Sequence, residues 1–418
     1  MKTIMFVSPT GTFDNGAEIS IYHLMVYLQQ NGYKVINVAP KSTMNSQTDY
    51  VKRFSDVGID VHLVASIKWW WEDAPGGIAG LPAQRAASYR DSLNQLIHII
   101  DTYQVDLVLT NTVNMYQGMV AAACKEIPHY TLIHEFPEGE FAYYLDKIDF
   151  IEENSDKIFS VDGQLKEVLT QKFSHSQIGV FTPYTQIQTT TLKKGDTHRI
   201  VSVGRLSQRK NQLELIQAFH QLVSNSKFEE LELVFIGPWD NEYKAKCDTY
   251  IKQHGLKNIT FCGEQKQPWS LVTDQDICVF PSALETYGLV YVEAILNGAP
   301  TILSDNPGHL SAYKRFEFGT IYPLGNIESL VAAIENMLDH FDEEKEAALS
   351  FVPIGKERYQ IKNVYAEIIK AIDQPEKVRL KSIRHLQNIL SLNEGKSKLA
   401  RLETRVRVGL QKIKNRKR

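Results

Sequence analysis

The sequence has few cysteines and no long apolar run, and both shortages exclude classes of protein. Its four cysteines lie singly at positions 124, 247, 262 and 278 without a Cys-x-x-Cys pair, which argues against a zinc site or a disulfide framework. We expect them to be reduced core residues. No stretch approaches the roughly 18 apolar residues that cross a bilayer, and the apolar start at residues 3–7 is too short for a signal peptide. These features predict a cytoplasmic protein.

Charge is unevenly distributed along the chain. The net charge is −3, but residues 376–418 hold 14 basic and three acidic residues, a local charge of +11 that leaves −14 elsewhere. Five apolar residues of this tail recur at helical spacing, namely Leu399, Leu402, Val406, Leu410 and Ile413. A basic amphipathic helix binds well to an anionic membrane surface, and we predict that partner rather than nucleic acid. A solvated helix docked on the acidic body, or a disordered tail, are the alternatives.

Apolar segments of strand length alternate with helical periods over most of the chain. Their continuous rather than alternating apolar character is typical of parallel sheets covered on both faces. The pattern predicts an α/β protein with two doubly wound, Rossmann-like domains facing a central cleft. The predicted ranges are an N-terminal domain at 1–180, a linker at 181–198, a second domain at 199–357, a C-terminal helix at 358–375 that returns to the first domain, and a basic helical tail at 376–418.

Two acidic residues bracket the predicted start of a helix near Gly288. Glu285 precedes this helix and Glu293 lies on its second turn. Both carboxylates can then face one cavity with the first helical N–H groups, a geometry that suits an anion bearing hydroxyl groups. The alternative interpretation is that Glu285 caps the helix and Glu293 is solvated.

Two loops that follow predicted strands carry further chemistry. Gly16 lies in the first of them, where a glycine lets the backbone approach phosphate closely. This loop lacks a Gly-x-Gly-x-x-Gly fingerprint, which argues against a dinucleotide oxidoreductase. Gly204 opens the second loop, in which Arg205 and Lys210 are candidates to bind phosphate oxygens. A basic helix cap on the surface is the alternative.

Taken together, these segments resemble the donor domain of retaining glycosyltransferases of family 4, which have the two-domain GT-B architecture. The matching segments are Gly204-Arg205-Leu206-Ser207, Lys210-Asn211, Phe280-Pro281-Ser282, Glu285, Gly288-Leu289, Glu293-Ala294 and Gly298-Ala299-Pro300. The resemblance implies that Glu285 contacts the donor sugar and Glu293 the ribose, while Arg205 and Lys210 hold the diphosphate. It also implies donor-binding roles for Gly16, Gly204, Tyr287, Gly288 and Leu289. Asn15 replaces the first glycine of the family's Gly-Gly pair, and we expect it to tolerate left-handed geometry there.

Other residues allow more than one interpretation. His134 follows a predicted strand and is either a structural histidine or, as the resemblance implies, a catalytic residue at the donor sugar. Trp69, Trp70 and Trp71 are either an acceptor platform, an interfacial anchor or a loop folded on itself. The Asp-x-Asp motif at 274–276 resembles a metal motif of the other main glycosyltransferase fold, but Asp276 directly precedes a strand, and we predict no metal and no cofactor.

We therefore predict a metal-independent, retaining glycosyltransferase, peripheral on the inner face of the cell membrane. Its catalytic residues would be His134, Arg205, Lys210 and Glu285. A nucleotide-diphosphate sugar is the predicted donor, and a lipid-linked or polymeric carbohydrate of the cell envelope or an exopolysaccharide is the predicted acceptor. The alternatives are a non-catalytic GT-B partner subunit and a GT-B sugar-nucleotide epimerase. The sequence does not indicate the donor sugar, the nucleotide base, the acceptor or the linkage.

Overall fold

The computed structural model describes residues 1–42, 46–65, 82–187 and 192–375, together with Val378 and Lys381. Trp69, Trp70 and Trp71 and nearly all of the basic tail lie outside these residues. Within them, no helix combines the length and the apolar character needed to cross a membrane.

The N-terminal half contains one parallel sheet of seven strands. The strands are β1 (Thr3–Val7), β2 (Lys34–Pro40), β3 (Asp60–Val64), β4 (Leu107–Asn111), β5 (His129–Ile133), β6 (Lys157–Val161) and β7 (Ile178–Phe181), in the order β3-β2-β1-β4-β5-β6-β7. The helices are α1 (Gly16–Gln30), α2 (Ser46–Ser55), α3 (Pro82–Tyr103), α4 (Gln117–Cys124), α5 (Ile148–Asn154) and α6 (Gln164–Lys172).

Strand β1 shows why this sheet is covered on both faces. All five of its residues are buried. Ile4 belongs to the same apolar cluster as Leu24 of α1, whereas its neighbour Met5 belongs to the cluster of Leu96 on α3. Successive side chains of a strand point to opposite faces, so a run of apolar residues needs a helix layer on each side.

The C-terminal half contains a second parallel sheet of six strands. The strands are β8 (Arg199–Val203), β9 (Glu232–Ile236), β10 (Ile259–Phe261), β11 (Asp276–Phe280), β12 (Thr301–Ser304) and β13 (Thr320–Tyr322), in the order β10-β9-β8-β11-β12-β13. The helices are α7 (Gln212–Val223), α8 (Asn241–Gln253), α9 (Leu289–Leu296), α10 (Pro307–Phe316), α11 (Ile327–Asp339), α12 (Phe341–Arg358), α13 (Ile361–Val364) and α14 (Ala366–Asp373). The predicted fold class, two doubly wound domains, is thereby confirmed.

The end of the described chain packs against the N-terminal half. The backbone N–H of Thr182 donates to the carbonyl of Val364 (2.9 Å), and the Tyr365 hydroxyl donates to the carbonyl of Ser20 on α1 (2.8 Å). Beyond α14, Lys381 forms a buried ion pair with Asp156 at the start of β6. The polypeptide therefore connects the two halves twice, once through the segment after β7 and once through α13 and α14.

Several predicted details are wrong. Residue 181 is the last residue of β7 rather than the first of a linker, and the single helix predicted at 358–375 is interrupted, because α13 and α14 are separate helices. Cys124 is exposed rather than part of a core, although Cys247 and Cys278 are buried. Asn15 is extended (φ −138°) rather than left-handed, and its side chain caps α1 by accepting from the Glu18 N–H (2.9 Å).

Candidate active site

The site lies where the strand order reverses in each sheet. This reversal falls between β1 and β4 in the N-terminal sheet and between β8 and β11 in the C-terminal sheet. Loops on the two sides of such a point diverge and leave a crevice at the carboxyl ends of the strands. The loops after β1, β8 and β11 carry most of the predicted site residues.

The loop after β8 is a compact turn that presents Lys210. The N–H groups of Lys210 and Asn211 both donate to the Ser207 carbonyl (3.0 Å each), and the Gln212 side chain donates to the Arg205 carbonyl (3.0 Å). Asn211 adopts the left-handed conformation (φ 54°) directly before α7. Asparagine tolerates this conformation, so the helix starts without the glycine that is frequent at this position.

Lys210 and Arg209 converge on one buried carboxylate, that of Glu285. The Lys210 Nζ lies 2.5 Å from Glu285 Oε1, and an Arg209 guanidinium nitrogen lies 2.9 Å from Oε2. The Ser282 hydroxyl donates to Oε1 (3.0 Å). Burial alone would raise the pKa of Glu285, but the two cations outweigh it and bring the pKa to about 2. Glu285 is therefore ionised at neutral pH.

Glu285 does not cap the helix that follows it, so that alternative is wrong. Gly288 is the residue before α9, in the left-handed conformation (φ 81°), and no side chain caps the helix start. Uncapped N–H groups at a helix start attract negative charge. The first of them, at Leu289 and Val290, lie four and five residues along the chain from Glu285. An anion at this end of α9 would therefore lie close to the Glu285, Lys210 and Arg209 cluster.

Glu293 lies on the second turn of α9 and is half-buried. Its Oε2 accepts from the indole N–H of Trp269 (2.9 Å). Burial raises its pKa, and hydrogen bonds from Trp269 and Thr185 oppose this effect. The carboxylate is thus oriented by neighbours rather than freely solvated, which removes the second part of the alternative interpretation.

The loop after β1 forms the opposite wall of the crevice. A Cβ placed on Gly16 would lie 3.3 Å from Leu289 at the start of α9. This loop and the loop after β8 together enclose a polar cavity of about 600 Å³, lined by Asp14, Asn15, Gly16, Arg205, Ser207, Gln208, Arg209 and Asp240. Both loops therefore line one cavity.

His134 follows β5 and is held by Asn111 at the end of β4. The Asn111 amide donates to the Ala17 carbonyl (3.3 Å), so its Oδ1 accepts from the His134 Nε2–H (2.8 Å). Burial lowers the pKa of His134 to about 3. The imidazole is therefore neutral, and its unprotonated Nδ1 is chemically able to accept a hydrogen bond from a hydroxyl group.

Two predicted donor-binding residues, Arg205 and Tyr287, have neighbours outside the Glu285 cluster. Arg205 pairs with Asp240 (3.4 Å) rather than with Glu285, and Arg205 and Asp240 both line the cavity. Tyr287 is buried, and its hydroxyl lies near Thr182 and Arg315 at the connection between the halves. Gly204 has a φ of 137°, and its backbone packs closely against Gly237. A Cβ on Gly237 would lie 2.3 Å from the Gly204 carbonyl oxygen.

Sequence reasoning did not assign a role to Arg209, Ser282 or His309. Arg209 directly precedes Lys210, and the run of two cations was the available signal for it. Ser282 belongs to the Phe-Pro-Ser segment that follows β11, where polar side chains reach the crevice. His309, on α10, had no signal, because its proximity to Gly288 arises only when α9 and α10 pack together.

The Asp-x-Asp motif has structural partners. Asp276 is the first residue of β11 and accepts two hydrogen bonds from Arg199 (2.8 and 2.7 Å), while Asp274 accepts from the Gly195 N–H (2.9 Å). The amino end of β11 lies at the sheet edge opposite the crevice. In the part of the chain that the structure describes, no three His, Cys, Asp or Glu side chains gather as a metal site. Independence from metal remains a prediction.

Comparison with known proteins finds similarity to glycosyltransferases. Residues 184–350 match the family model "Glycosyl transferases group 1". This segment includes Lys210, Glu285 and Glu293. The match and the relatives described next support a GT-B glycosyltransferase.

Three curated relatives are glycosyltransferases. The putative glycosyltransferase EpsD of Bacillus subtilis is 26% identical over 322 residues, which cover 69% of this chain and 82% of that protein. The capsular polysaccharide biosynthesis glycosyltransferase CapM of Staphylococcus aureus is 27% identical over 144 residues, 34% of this chain and 37% of CapM. The UDP-Gal:alpha-D-GlcNAc-diphosphoundecaprenol alpha-1,3-galactosyltransferase of Escherichia coli is 26% identical over 141 residues, 33% of this chain and 35% of that enzyme.

Solved structures show the same fold. The Anabaena Alr3699/HepE structure, a complex with UDP and glucose, superposes with a TM-score of 0.69 at 17% identity and covers 90% of this chain and all of that chain (100%). The glycosyltransferase of Rickettsia africae superposes with a TM-score of 0.72 at 17% identity, covering 90% of this chain and 99% of that one. At such identities the likeness concerns the fold, which is GT-B.

Proposed function

We propose that this protein transfers a sugar, with retention of configuration and without a metal, from a nucleotide-diphosphate donor to a lipid-linked or polymeric carbohydrate of the cell envelope. The observation that carries the proposal is the cluster of Lys210, Arg209 and Glu285 beside the uncapped start of α9. Cations and helical N–H groups suit a diphosphate, and an ionised carboxylate suits sugar hydroxyl groups.

The proposed site accounts for both ends of the donor. In this mechanism Lys210, Arg209 and Arg205 bind the diphosphate and stabilise the charge that it acquires as the sugar–oxygen bond breaks. Glu285 accepts from hydroxyl groups of the transferred sugar, His134 Nδ1 accepts another, and Glu293 accepts from the ribose. Gly16 lets the backbone of its loop approach the donor, and Leu289 contributes the first N–H of α9.

Retention implies attack by the acceptor on the face from which the diphosphate leaves. The bond between the anomeric carbon and the phosphate oxygen breaks, a bond to the acceptor oxygen forms, and the acceptor proton passes to the departing phosphate oxygen. No separate base is needed in this scheme. The resemblance to family 4 is the support for retention.

Two relatives support the acceptor class. The E. coli enzyme is named for a diphosphoundecaprenol-linked substrate, and CapM is named for capsular polysaccharide biosynthesis. We extend this class to the present chain, with Trp69, Trp70 and Trp71 as candidate acceptor contacts. The protein would then work at the inner face of the membrane, held there by its basic tail.

A nucleotide-sugar screen tests the donor site. One donor of a panel should raise the melting temperature of the purified chain by mass action, with and without chelator. With that donor, Lys210→Ala and Glu285→Ala should lower turnover at least about a hundredfold, because each loses an electrostatic contact to the transition state.

The matched controls are Lys252→Ala and Glu346→Ala, which change exposed residues of α8 and α12 and should leave turnover near normal. Near-normal rates for Lys210→Ala and Glu285→Ala would refute the proposal, and so would stabilisation by no donor. A non-catalytic partner subunit would bind a donor without turning it over. An epimerase would invert the configuration of one carbon of the donor sugar without needing an acceptor.

Co-sedimentation with vesicles tests the tail. A chain ending at residue 381 keeps the ion pair between Lys381 and Asp156 but loses most of the basic residues. It should bind vesicles rich in phosphatidylglycerol much more weakly than the full chain, and neither should bind neutral vesicles. Equal binding by both chains would rule the tail out as the membrane contact.

A further inference from the structure

A buried histidine packs directly against the start of α9. His309 is fully buried (0% exposed), on the first turn of α10. A Cβ on Gly288 would lie 2.7 Å from its Cδ2 and 3.2 Å from its Nε2. The absence of a side chain at residue 288 is therefore what lets the Nε2 edge of the imidazole face the helix start.

The hydrogen-bond network assigns the proton of this imidazole to Nε2. The Asn306 Oδ1 accepts from the N–H groups of Gly308 and His309 (3.0 and 3.1 Å), which fixes the orientation of the amide. Its Nδ2 then donates to the Ser282 carbonyl (2.9 Å) and faces His309 Nδ1 at 2.8 Å. The Ser304 carbonyl oxygen also lies near Nδ1, at 3.1 Å, but the Asn306 amide group is closer and would repel a proton on Nδ1. We therefore assign the proton of a neutral His309 to Nε2.

This Nε2–H has no acceptor. Among the described residues Nε2 is a buried polar atom without a hydrogen-bond partner. A buried donor without a partner destabilises the fold, so such groups call for an explanation. Burial lowers the pKa of His309 to about 4, which keeps the imidazole neutral although Glu285 lies near enough to raise that pKa.

The surroundings of Nε2 suit an anionic ligand. The uncapped N–H groups of α9 follow Gly288 directly, and both Lys210 and Glu285 interact electrostatically with the imidazole. The first turn of α10 also contacts the loop that carries Glu285, because a Cβ on Gly308 would lie 2.4 Å from the Glu285 carbonyl oxygen. His309 thus lies between the proposed phosphate-binding end of α9 and the proposed sugar-binding residue.

We propose that His309 is a further donor-binding residue, whose Nε2–H donates to a diphosphate oxygen of the nucleotide sugar. The inference rests on the proposed function. Nε2 lies beside Gly288, and the first N–H groups of α9 follow Gly288 directly. In this proposal a small shift of the loop at 285–288 on donor binding brings both kinds of donor to one phosphate group. Gln substitutes for an Nε2–H donor, whereas Leu fills a similar volume without one.

Calorimetric titration of the full chain tests the proposal. The probes are the nucleoside diphosphate that the wild-type protein binds best and the corresponding nucleoside monophosphate. His309→Leu should weaken binding of the diphosphate about tenfold or more, the usual effect of losing a hydrogen bond to a charged group. His309→Gln should stay within about threefold of wild type, and neither variant should change monophosphate binding.

Unchanged diphosphate binding by His309→Leu would overturn the proposal, and so would an equal loss for the monophosphate, which would indicate general disruption of the site. ¹⁵N spectra of the wild-type chain, with His309→Gln to assign the signal, should show the Nε2-protonated form, and an Nδ1-protonated form would also overturn it. Failure of the wild-type protein to bind any nucleoside diphosphate would instead refute the proposed function, and this inference with it.

Discussion

Two cations hold Glu285 as a carboxylate in a position where burial alone would favour the neutral acid. Because its pKa of about 2 lies below the ordinary value of 4.5, the folded state releases a proton that the unfolded chain keeps between these two values. The resulting stabilisation is fully present above pH 4.5 and is lost as the pH falls towards 2. At the pH of most assays this carboxylate accepts hydrogen bonds but cannot donate one.

This charge state predicts a pH dependence for Glu285→Gln. At neutral pH the variant should be less stable than wild type by about 3 kcal/mol, the equivalent of the pKa shift at 1.36 kcal/mol per unit. Glutamine cannot ionise, so the difference should shrink as the pH is lowered from 4.5 towards 2. Urea unfolding at pH 7, 4 and 3 measures it, and a difference that stays constant over this range would contradict the assigned pKa.

At the scale of residues, the sequence predicts those site residues that can be recognised within one short segment of the chain. Glu285 and Lys210 were predicted from their positions beside helix starts, in loops after strands, together with the resemblance to family 4. Arg209 and His309 contact the same site through packing between elements, and nothing in the local sequence indicates which of two adjacent cations reaches a carboxylate. Tyr287, which lies two residues after Glu285, was predicted to bind the donor. Its side chain is buried, and its hydroxyl lies near Thr182 and Arg315 at the connection between the halves.

At the scale of elements, the start of α9 depends on a glycine for two separate reasons. Gly288 has a left-handed backbone (φ 81°), and its missing side chain leaves room for His309. Gly325 has the same φ of 81°, but a Cβ there would meet nothing within 4 Å. The two glycines therefore separate the backbone requirement from the packing requirement.

Gly288→Ala should destabilise the protein more than Gly325→Ala. Both variants pay about 1–2 kcal/mol for a left-handed alanine, and only Gly288→Ala adds an overlap of about 1–3 kcal/mol with the imidazole. Urea unfolding measures the difference, and donor turnover should fall only in Gly288→Ala. Equal destabilisation would mean that His309 moves aside freely.

Three elements lie where local sequence signals are weak or contradictory. Strand β7 has four residues and includes Gly179, and it lies in a polar, threonine-rich region that favoured a linker. Strand β13 has three residues. Asn306 caps α10 and Pro307 begins it, and this pair indicates a turn as readily as a capped helix. The sheet contacts that define these elements are non-local, so no window of sequence contains them.

At the scale of the whole molecule, close contact between the halves depends on a second glycine. Gly163 precedes α6 with a φ of 104°, and a Cβ there would lie 2.2 Å from the Ser311 hydroxyl oxygen on α10. The N–H of Gln164 donates to the same hydroxyl (3.2 Å). With the approach of Gly16 to Leu289, this contact sets how closely the two walls of the crevice can meet.

Gly163→Ala should therefore hold the crevice wider. An overlap worth about 1–3 kcal/mol would disfavour the closed arrangement, and affinity for the donor should fall about tenfold because only the closed fraction binds with both walls. Small-angle scattering should show a larger radius of gyration in the variant with donor present. Adding Ser311→Gly removes the hydroxyl and Cβ that the new methyl group meets, and should restore part of both the affinity and the compactness. If the double variant stays as open as Gly163→Ala, backbone strain at residue 163 is responsible rather than contact between the halves. An unchanged affinity in Gly163→Ala would mean that donor binding does not need the two halves to come this close.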